Sequence, residues 1–196
     1  MERSVNNFEL IRPLLSFSAD DERYYHLQVI RRGKDNPDMT GANRMVKTYY
    51  VTSLEVFDRI TDEVINMCKL FHARAYINLS PKSARETTLQ MLKDTADRIL
   101  YGDYRKPWRL WHTCAGEVKG KPQAWIVDLD ECDEVNPEVV ECINSLEPLG
   151  SEKIVATVPT KSGFHLITRP FRLDKFKTRF PGIDVHKNNP TILYVP

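Results

Sequence analysis

Residues 124–130 read AWIVDLD, a short apolar run that ends in two carboxylates. Successive side chains of a strand point to opposite faces, so Asp128 and Asp130 share one face and Leu129 points to the other. Two neighbouring carboxylates repel each other, and a divalent cation with oxygen ligands relieves that repulsion. The stretch therefore predicts a buried strand that delivers metal-binding acids at its end. A pair of solvated acids at a strand end is the alternative.

The residues after this stretch predict a regular order of elements. Asn136 and Pro137 suit the N-cap and first position of a helix that ends near Leu146. Runs of β-branched and aromatic residues predict strands, with one short helix between them: strands 153–158, 164–168, 183–186 and 191–195, and the helix 173–180. The order strand, helix, strand, strand, helix, strand favours an antiparallel or mixed sheet with helices on one side.

The N-terminal half predicts a second mixture of strands and helices. Strands are expected at 24–30, 48–52 and 74–79. Capping-box patterns at 52–55 and 83–86 open two helices, and the second is expected to turn an apolar stripe inward, formed by Leu89, Leu92, Ala96 and Ile99. We therefore expect an α+β protein in which two small α/β modules, residues 1–105 and 124–196, meet at a cleft. Residues 106–123 are expected to link them within one compact domain.

Composition narrows the possible classes of protein. The chain has 196 residues, 41% hydrophobic and 28% charged, which suits one substantial globular domain. It contains no apolar run of membrane-spanning or signal-peptide length, so we expect a cytoplasmic protein without a membrane partner. The cysteines form no CxxC pair, which favours reduced thiols over a zinc site. An acidic stretch, 128–152, precedes a mostly basic one, an order that suits cations held beside polyphosphate as well as two ordinary solvated faces.

Two further motifs carry polar side chains that can bind phosphate or a metal ion. In Ser162-Gly163-Phe164-His165, glycine permits a tight turn, and His165 faces away from the core if Phe164 faces it. Ser162, His165 and the adjacent Lys161 can then bind phosphate, although a hairpin with a surface histidine has the same pattern. Asp184, in PGIDVHKNNP, starts a short strand and can complete a cage of three carboxylates, with Lys187 nearby.

In this order, the three motifs resemble those of the archaeo-eukaryotic primase (primase-polymerase) superfamily over about residues 124–187. The resemblance implies an RRM-like catalytic module preceded by an αβ module. It implies that Asp128, Asp130 and Asp184 are catalytic acids that ligate Mg²⁺ or Mn²⁺, and that Ser162 and the catalytic His165 contact the triphosphate of the incoming nucleotide. Lys161 and Lys187 are assigned to the nucleotide from their positions. The chain is short for this family and has neither an evident zinc-binding insertion nor a helicase segment.

A template-binding role is predicted for a segment in which basic residues alternate with aromatic ones. Charge on phosphates and stacking on rings hold single-stranded nucleic acid. We call the following residues the basic-aromatic segment: Arg105, Lys106, Trp108, Arg109 and Trp111. Its alternative is a linker whose tryptophans fill the interface between the modules. A second basic group, which a solvated loop also explains, contains Arg31, Arg32, Lys34, Arg44 and Lys47.

Together these features predict a metal-dependent nucleotidyltransferase of the primase or primase-polymerase type. Its partners would be nucleoside triphosphates, a single-stranded template and a helicase or other replication protein. The setting would be DNA replication or repair in a phage, plasmid or other mobile element. Two alternatives remain open: an RRM-like nucleic-acid-binding module without catalysis, and a metal-dependent phosphoesterase or nuclease that uses the same acids.

Overall fold

The protein is described here by a computed structural model that covers residues 3–17, 22–37, 39, 41–121, 124–150 and 152–196. Within these residues the chain forms two antiparallel sheets and six α-helices, which confirms the predicted α+β class. The first elements are β1 (Val5–Asn6), α1 (Phe8–Ile11), β2 (Arg23–Arg31), β3 (Arg44–Val51), α2 (Leu54–Phe71), β4 (Arg74–Ile77), β5 (Lys82–Ser83), α3 (Ala84–Leu100) and α4 (Leu110–Glu117). The remaining elements are β6 (Trp125–Leu129), α5 (Pro137–Ser145), β7 (Ile154–Pro159), β8 (Phe164–Thr168), α6 (Leu173–Arg179), β9 (Asp184–Lys187) and β10 (Thr191–Val195).

The larger sheet has the strand order β1-β10-β4-β2-β3, with β5 paired to β2. One of its faces packs against α2, because alternate residues of β2 and the apolar stripe of α2 are buried in one core; these residues include Tyr25, Leu27, Val29, Phe57, Ile60 and Val64. Ser53 caps α2 by accepting a hydrogen bond from the backbone N–H of Val56. The helix predicted from the capping-box pattern at 52–55 is therefore present.

The smaller sheet has the strand order β7-β8-β6-β9 and carries α5 and α6 on one face. Its core joins alternate residues of β6 and β8 to both helices and includes Val127, Leu129, Val139, Ile143, Leu166 and Phe176. The elements follow the order strand, helix, strand, strand, helix, strand, and every pairing is antiparallel. This is the arrangement of an RRM-like module.

The opposite face of the smaller sheet turns toward the larger sheet. Ile126, Val158 and Ile167 belong to the same core cluster as Ile192 of β10. Asn7 joins the two sheets, since its side-chain amide donates to the carbonyls of Pro159 and Ile192. The two sheets therefore share the core of the larger sheet, while the smaller sheet has a second core with its helices, and a cleft lies beside the shared one.

The last strand differs from the prediction that residues 124–196 form a module of their own. β10 lies inside the larger sheet, between β1 and β4, and all five of its residues are buried. A strand that is apolar on both faces needs a sheet covered on both sides. The centre of the larger sheet provides that cover, between α2 and the smaller sheet.

Residues 106–121 are also structured, whereas the sequence predicts a linker there; residues 122 and 123 lie outside the described part of the chain. A 3-10 turn over Pro107–Arg109 leads into α4, which lies against α3 and the larger sheet. Trp111 contacts the rings of Tyr24 and Tyr50. The helical propensity of this segment was hidden by Pro107 and by its irregular charge pattern.

The predicted orientation of α3 is wrong. Leu89, Leu92 and Ile99 each expose more than half of their surface, whereas Thr87 on the inward face is fully buried. Thr87 shares a buried hydrogen bond with Tyr24, and the Cys114 thiol donates to the Asp94 carboxylate. These polar contacts hold the helix with its apolar stripe outward.

None of the helices in the described ranges has both the length and the apolar character that crossing a bilayer requires.

Candidate active site

The register of the smaller sheet brings three of the predicted site residues into one row. In β6, Asp128 pairs with His165 of β8 on one side and with Asp184 of β9 on the other. Directly paired residues of antiparallel strands point to the same face. Because Leu129 and Leu166 pack into the helical core, this row belongs to the face that looks into the cleft.

His165 is fixed at both ring nitrogens. Its Nδ1 lies 2.8 Å from the hydroxyl of Thr191, a fully buried residue of β10. Its Nε2 lies 3.4 Å from Oδ1 of Asp128. The contact with Thr191 selects a ring orientation that directs Nε2 at the carboxylate. The hydrogen bond from His165 is the main reason why the pKa of Asp128 lies below its ordinary value, against the opposing effect of burial.

His186 is a further residue of the site that the sequence prediction did not assign. It lies in β9, two residues after Asp184, and pairs with Ile126 of β6. Its Nε2 lies 3.9 Å from Oδ2 of Asp128. The two imidazoles therefore approach different oxygens of one carboxylate. The signal was present in the sequence, because the alternation of a strand puts Asp184 and His186 on one face.

The hairpin between β7 and β8 rests directly on the end of β6. A Cβ atom at Gly163 would lie 1.9 Å from the carbonyl oxygen of Leu129, so only glycine fits this approach. The backbone N–H of Thr160 donates to the carbonyl of Gly163 and closes the turn. Glycine thus sets Ser162 beside Asp130 on the wall of the cleft.

Asp130 and Asp184 lie at the rim of the site. Asp130 follows the last residue of β6, and Glu131 then turns the chain with a left-handed φ of 53°. The Asp184 side chain is 75% exposed and lies 3.5 Å from Nζ of Lys177. All three acids line one shallow depression of about 280 Å³. In the described residues, no three His, Cys, Asp or Glu side chains are already arranged around a common metal position.

A larger cavity of about 390 Å³ lies between the two sheets, and we call it the cleft cavity. The smaller sheet and its hairpin contribute Asp128, Asp130, Lys161, Ser162, His165 and His186. The larger sheet and the loop after β2 contribute mainly Ile30, Arg32, Lys34, Arg74, Tyr76 and Ile192. Acids thus lie on one wall and three strong bases on the other.

Arg32 has unused hydrogen-bonding capacity in this cavity. Its Nη1 donates to the hydroxyl of Tyr76 over 3.0 Å. Its Nε is buried and has no hydrogen-bond partner among the described residues. A buried donor without a partner is costly, and a bound anion would satisfy it. The sequence prediction grouped Arg32 and Lys34 with a basic loop for nucleic acid, whereas the structure places both on the wall of the cavity.

Lys161 and Arg74 form a bridge across the cleft. Asp35 accepts two hydrogen bonds from Arg74, at 2.6 and 2.7 Å, and lies 3.6 Å from Nζ of Lys161. Burial alone would raise the pKa of Asp35, but the hydrogen bonds and positive charge of Arg74 and Lys161 together lower it. The tip of the hairpin is thereby held against the larger sheet.

The remaining predicted site residues lie outside the cleft cavity. Lys187 places Nζ 4.6 Å from the centroid of the Trp125 ring, on the helical face of the smaller sheet, because alternation along β9 separates it from Asp184 and His186. Arg105, Lys106 and Arg109 line a separate depression of about 260 Å³. In the same segment Trp108 is 72% exposed, whereas Trp111 is part of an aromatic cluster.

The basic-aromatic segment nevertheless adjoins the sheet face that forms the cavity. His26 of β2 and Tyr50 of β3 are cross-strand partners with stacked rings, and His112 of α4 bonds to the Tyr50 hydroxyl. Alternation along β2 puts His26 on the same face as Ile30, which lines the cleft cavity. The smaller sheet and α4 therefore cover two parts of one sheet face.

Comparisons with protein-family models, with curated protein sequences and with solved structures gave no match.

Proposed function

We propose that the cleft cavity binds a nucleoside triphosphate with a divalent cation and catalyses nucleotidyl transfer of the primase or primase-polymerase type. The observation that carries the proposal is the meeting of two kinds of residue at one cavity. Acids and imidazoles reach it from the smaller sheet, and Arg32 and Lys34 reach it from the other side. Its volume of about 390 Å³ is within the usual range for small-molecule sites, roughly 300–1,000 Å³.

The basic side supports binding of the triphosphate. Arg32 offers a buried Nε–H that has no hydrogen-bond partner in the described part of the chain, and Lys34 adds a positive charge at the same wall. Ser162, on a hairpin held close to β6 by Gly163, adds a hydroxyl and a backbone N–H beside Lys161. Charge-assisted hydrogen bonds of this kind are the strongest that proteins make to phosphate.

The acidic side supports binding of Mg²⁺ or Mn²⁺ by Asp128, Asp130 and Asp184. Carboxylate oxygens suit these ions, and the pairing of Asp128 with Asp184 puts their Cβ atoms within about 6 Å of each other. The Asp184 side chain must turn from Lys177 toward Asp128 for all three acids to share an ion. When bound, the ions help to activate a 3′-hydroxyl and to stabilise the leaving pyrophosphate.

In the proposed reaction the 3′-hydroxyl oxygen attacks the α-phosphorus of the nucleotide. A new phosphorus–oxygen bond forms, the bond between the α- and β-phosphates breaks, pyrophosphate leaves and the hydroxyl proton passes to water. Arg32, Lys34 and Lys161 hold the phosphates during this step. His165, oriented by Thr191, is placed to contact the reacting phosphate from the acidic side.

The basic-aromatic segment supports a single-stranded template as the second substrate. Trp108 exposes a ring on which a base can stack, and Arg105, Lys106 and Arg109 gather positive charge next to it. Trp111 has a packing role instead. A helicase or other replication protein as partner, and an origin in a mobile element, remain predictions from the family resemblance.

Primer extension tests the proposal. With Mn²⁺ or Mg²⁺, a primed template and nucleoside triphosphates, the wild-type chain should lengthen the primer. A variant with Asp128→Ala and Asp130→Ala should not. Two exposed acids away from the cavity, Asp62 and Glu141, provide the matched double-alanine control, which should extend normally. Undiminished extension by the Asp128/Asp130 variant would reject the proposal.

His186 favours a second candidate function, metal-dependent cleavage of phosphodiesters. Two imidazoles near one carboxylate suit hydrolysis as well as transfer, because either can donate a proton to a leaving oxygen. The same assay without nucleoside triphosphates separates the two. Shortened oligonucleotides that disappear in His186→Gln would support the hydrolase. Binding of single strands with neither extension nor cleavage would indicate the non-catalytic module.

A further inference from the structure

Asp184 and His186 lie on one strand and flank Asp128 on the neighbouring strand. Asp184 pairs directly with Asp128, and His186 pairs with Ile126, two residues further along both strands. Alternation puts Asp128, Asp184 and His186 on the same face of the smaller sheet. A carboxylate of β6 thus lies beside both a carboxylate and an imidazole of β9. All three side chains carry atoms that bind metal ions.

The two spaces beside this face meet at Asp128. Asp184 lines the shallow depression of about 280 Å³, whereas His186 lines the cleft cavity. Asp128 and Asp130 line both spaces. An ion bound to Asp128 is therefore within reach of Asp184 from one side and of His186 from the other.

The distance between His186 and Asp128 suits two ligands of one ion. Nε2 of His186 lies 3.9 Å from Oδ2 of Asp128, which is longer than the roughly 2.7–3.2 Å of an N–H···O hydrogen bond. Two ligand atoms that are each about 2.1 Å from an ion lie about 3.0–3.4 Å apart at octahedral or tetrahedral angles. A small rotation of the His186 ring, which is 39% exposed, closes the remaining gap.

His165 is held in a different way. Its Nε2, 3.4 Å from Oδ1 of Asp128, donates a hydrogen bond to the carboxylate and therefore carries a proton. A protonated ring nitrogen is a donor and has no lone pair for a metal ion. Nδ1 of the same ring lies against the hydroxyl of Thr191. Of the two imidazoles, His186 is thus the one that is placed to act as a ligand.

We infer that His186 is a nitrogen ligand of the metal ion beside Asp128 and Asp184, and that it makes the site selective for first-row transition ions such as Mn²⁺ and Co²⁺ over Mg²⁺. The inference rests on the metal binding in the function proposed above. Mg²⁺ takes oxygen ligands and retains several waters, whereas imidazole suits transition ions. A site of mixed nitrogen and oxygen ligands therefore discriminates against Mg²⁺.

Two side-chain rotations complete this site. Asp184 turns from Lys177 toward Asp128, and the His186 ring closes on the same carboxylate. Both movements are still to be made, which is why the described residues hold no preassembled metal cluster. Because a metal-bound Nε2 carries no proton, this role excludes the proton donation by His186 that the hydrolase alternative requires.

Pulsed electron paramagnetic resonance of Mn²⁺ bound to the full chain, without nucleotide or template, tests the ligand. A ligating imidazole nitrogen modulates the electron spin echo, so wild type should show nitrogen modulation. His186→Gln should bind Mn²⁺ through the acids without that modulation, and circular dichroism should report an unchanged fold. The matched control is His112→Gln, which changes an exposed histidine of α4 and should keep the modulation.

Calorimetric titration with Co²⁺ and with Mg²⁺ tests the selectivity. Loss of an outer-shell partner of a metal site already costs about 10–100-fold in affinity, so His186→Gln should lower the affinity for Co²⁺ at least about tenfold. The affinity for Mg²⁺ should change little, because carboxylates and water hold that ion. His112→Gln should leave both affinities unchanged. An equal loss of both affinities in His186→Gln, or a loss of neither, would refute the selectivity.

The outcomes separate this inference from the function proposed for the cleft. Bound Mn²⁺ without nitrogen modulation in wild type, or modulation that persists in His186→Gln, overturns the inference whether or not the chain extends primers. Nitrogen modulation that depends on His186, in a chain that extends no primer, supports the ligand and rejects nucleotidyl transfer. A wild type that binds no Mn²⁺ overturns both.

Discussion

Asp184 lies directly opposite Asp128 in the pairing of β9 with β6, yet its carboxylate is turned outward to Lys177. The backbone has therefore already brought the two acids together, and only a side-chain rotation separates them from a shared ion. An exposed ion pair such as Asp184–Lys177 contributes at most about 1 kcal/mol. A doubly charged cation near Asp128 offers a stronger attraction.

Removing the competing cation should therefore strengthen metal binding. We expect Lys177→Met to raise the affinity for Mn²⁺ by up to roughly fivefold, the equivalent of about 1 kcal/mol. Asp184→Asn should lower it at least tenfold. Titration followed by electron paramagnetic resonance measures both. Lys175→Met, on the same helix but facing Glu147, is the control and should leave the affinity unchanged. Equal affinities for Mn²⁺ in wild type and Asp184→Asn would show that Asp184 is not a metal ligand.

Gly163 should tolerate no side chain. Alanine would put its Cβ atom 1.9 Å from the Leu129 carbonyl, and the clash involves two backbones that cannot both move freely. We expect Gly163→Ala to lower the free energy of unfolding by about 2 kcal/mol and to abolish turnover by displacing Ser162. Urea denaturation and the extension assay measure the two effects. Gly182→Ala is the matched control, because its added Cβ meets open space.

Arg32 should contribute more to nucleotide binding than the other arginines of its loop region. A charge-assisted hydrogen bond is worth about 1.5–3 kcal/mol, so Arg32→Gln should raise the KM for the nucleotide roughly tenfold or more. Fluorescent-nucleotide titration gives the affinity directly. Arg44→Gln removes an exposed charge that lies on β3 outside the cavity and should change little. If both variants lose affinity for the nucleotide equally, the loss comes from the lower positive charge of the protein and not from a specific contact of Arg32.

His26 should make stability depend on pH. Burial, with repulsion from Lys82 and His112, lowers the pKa of His26 from 6.5 to about 4. Between these values the unfolded chain binds the proton and the folded chain does not, so the free energy of unfolding falls as the pH drops through this window. The loss approaches roughly 3 kcal/mol near pH 4. Denaturation at a series of pH values measures the slope.

The His26→Gln variant should flatten that dependence, because glutamine does not titrate. His72→Asn is the control, since His72 is exposed and has a left-handed φ of 46° that asparagine tolerates. It should keep the wild-type slope. A slope unchanged in His26→Gln would assign the effect to another group.

Substitution of the two tryptophans of the basic-aromatic segment should have different effects, one on binding and the other on stability. Trp108→Ala should weaken binding of single-stranded DNA by about 1–3 kcal/mol while leaving the melting temperature unchanged, because the ring is exposed. Trp111→Ala should lower the melting temperature, because its ring packs on Tyr24 and Tyr50. Fluorescence anisotropy and thermal melting test the pair. If Trp108→Ala binds single-stranded DNA normally, this segment does not bind the template through Trp108.

Much of the fold could be predicted because local patterns decide it. The strand at 125–129 and the helix at 54–71 follow from alternation, capping and apolar spacing, and the structure has both. The faces of Leu129 and Leu166 also follow from alternation alone. α3 was predicted as a helix but with the wrong face inward, because its orientation depends on Tyr24, which is distant in sequence.

The candidate site shows the same division. Alternation predicts that His186 shares a face with Asp184 and that Lys187 does not, although the predicted site contained Lys187 and gave His186 no role. Arg32 and Tyr76 could not be predicted, since they enter the cavity only when the two sheets face each other. The pairing of Asp128 with Asp184 likewise depends on which strands become neighbours, and sequence spacing does not encode that choice.

The place of β10 affects how the protein reaches its native state. Val195 pairs with Val5, and the neighbouring residues of β10 pair with β4, so the middle of the larger sheet is supplied from the end of the described chain. During synthesis, β2, β3 and β4 are made before β10. Until β10 is added, the edge of β4 is unpaired and the apolar residues beside it are exposed. The larger sheet is therefore complete only after residues 191–195 have been synthesised, and deleting these five residues should leave β1 without its partner and one edge of β4 unpaired.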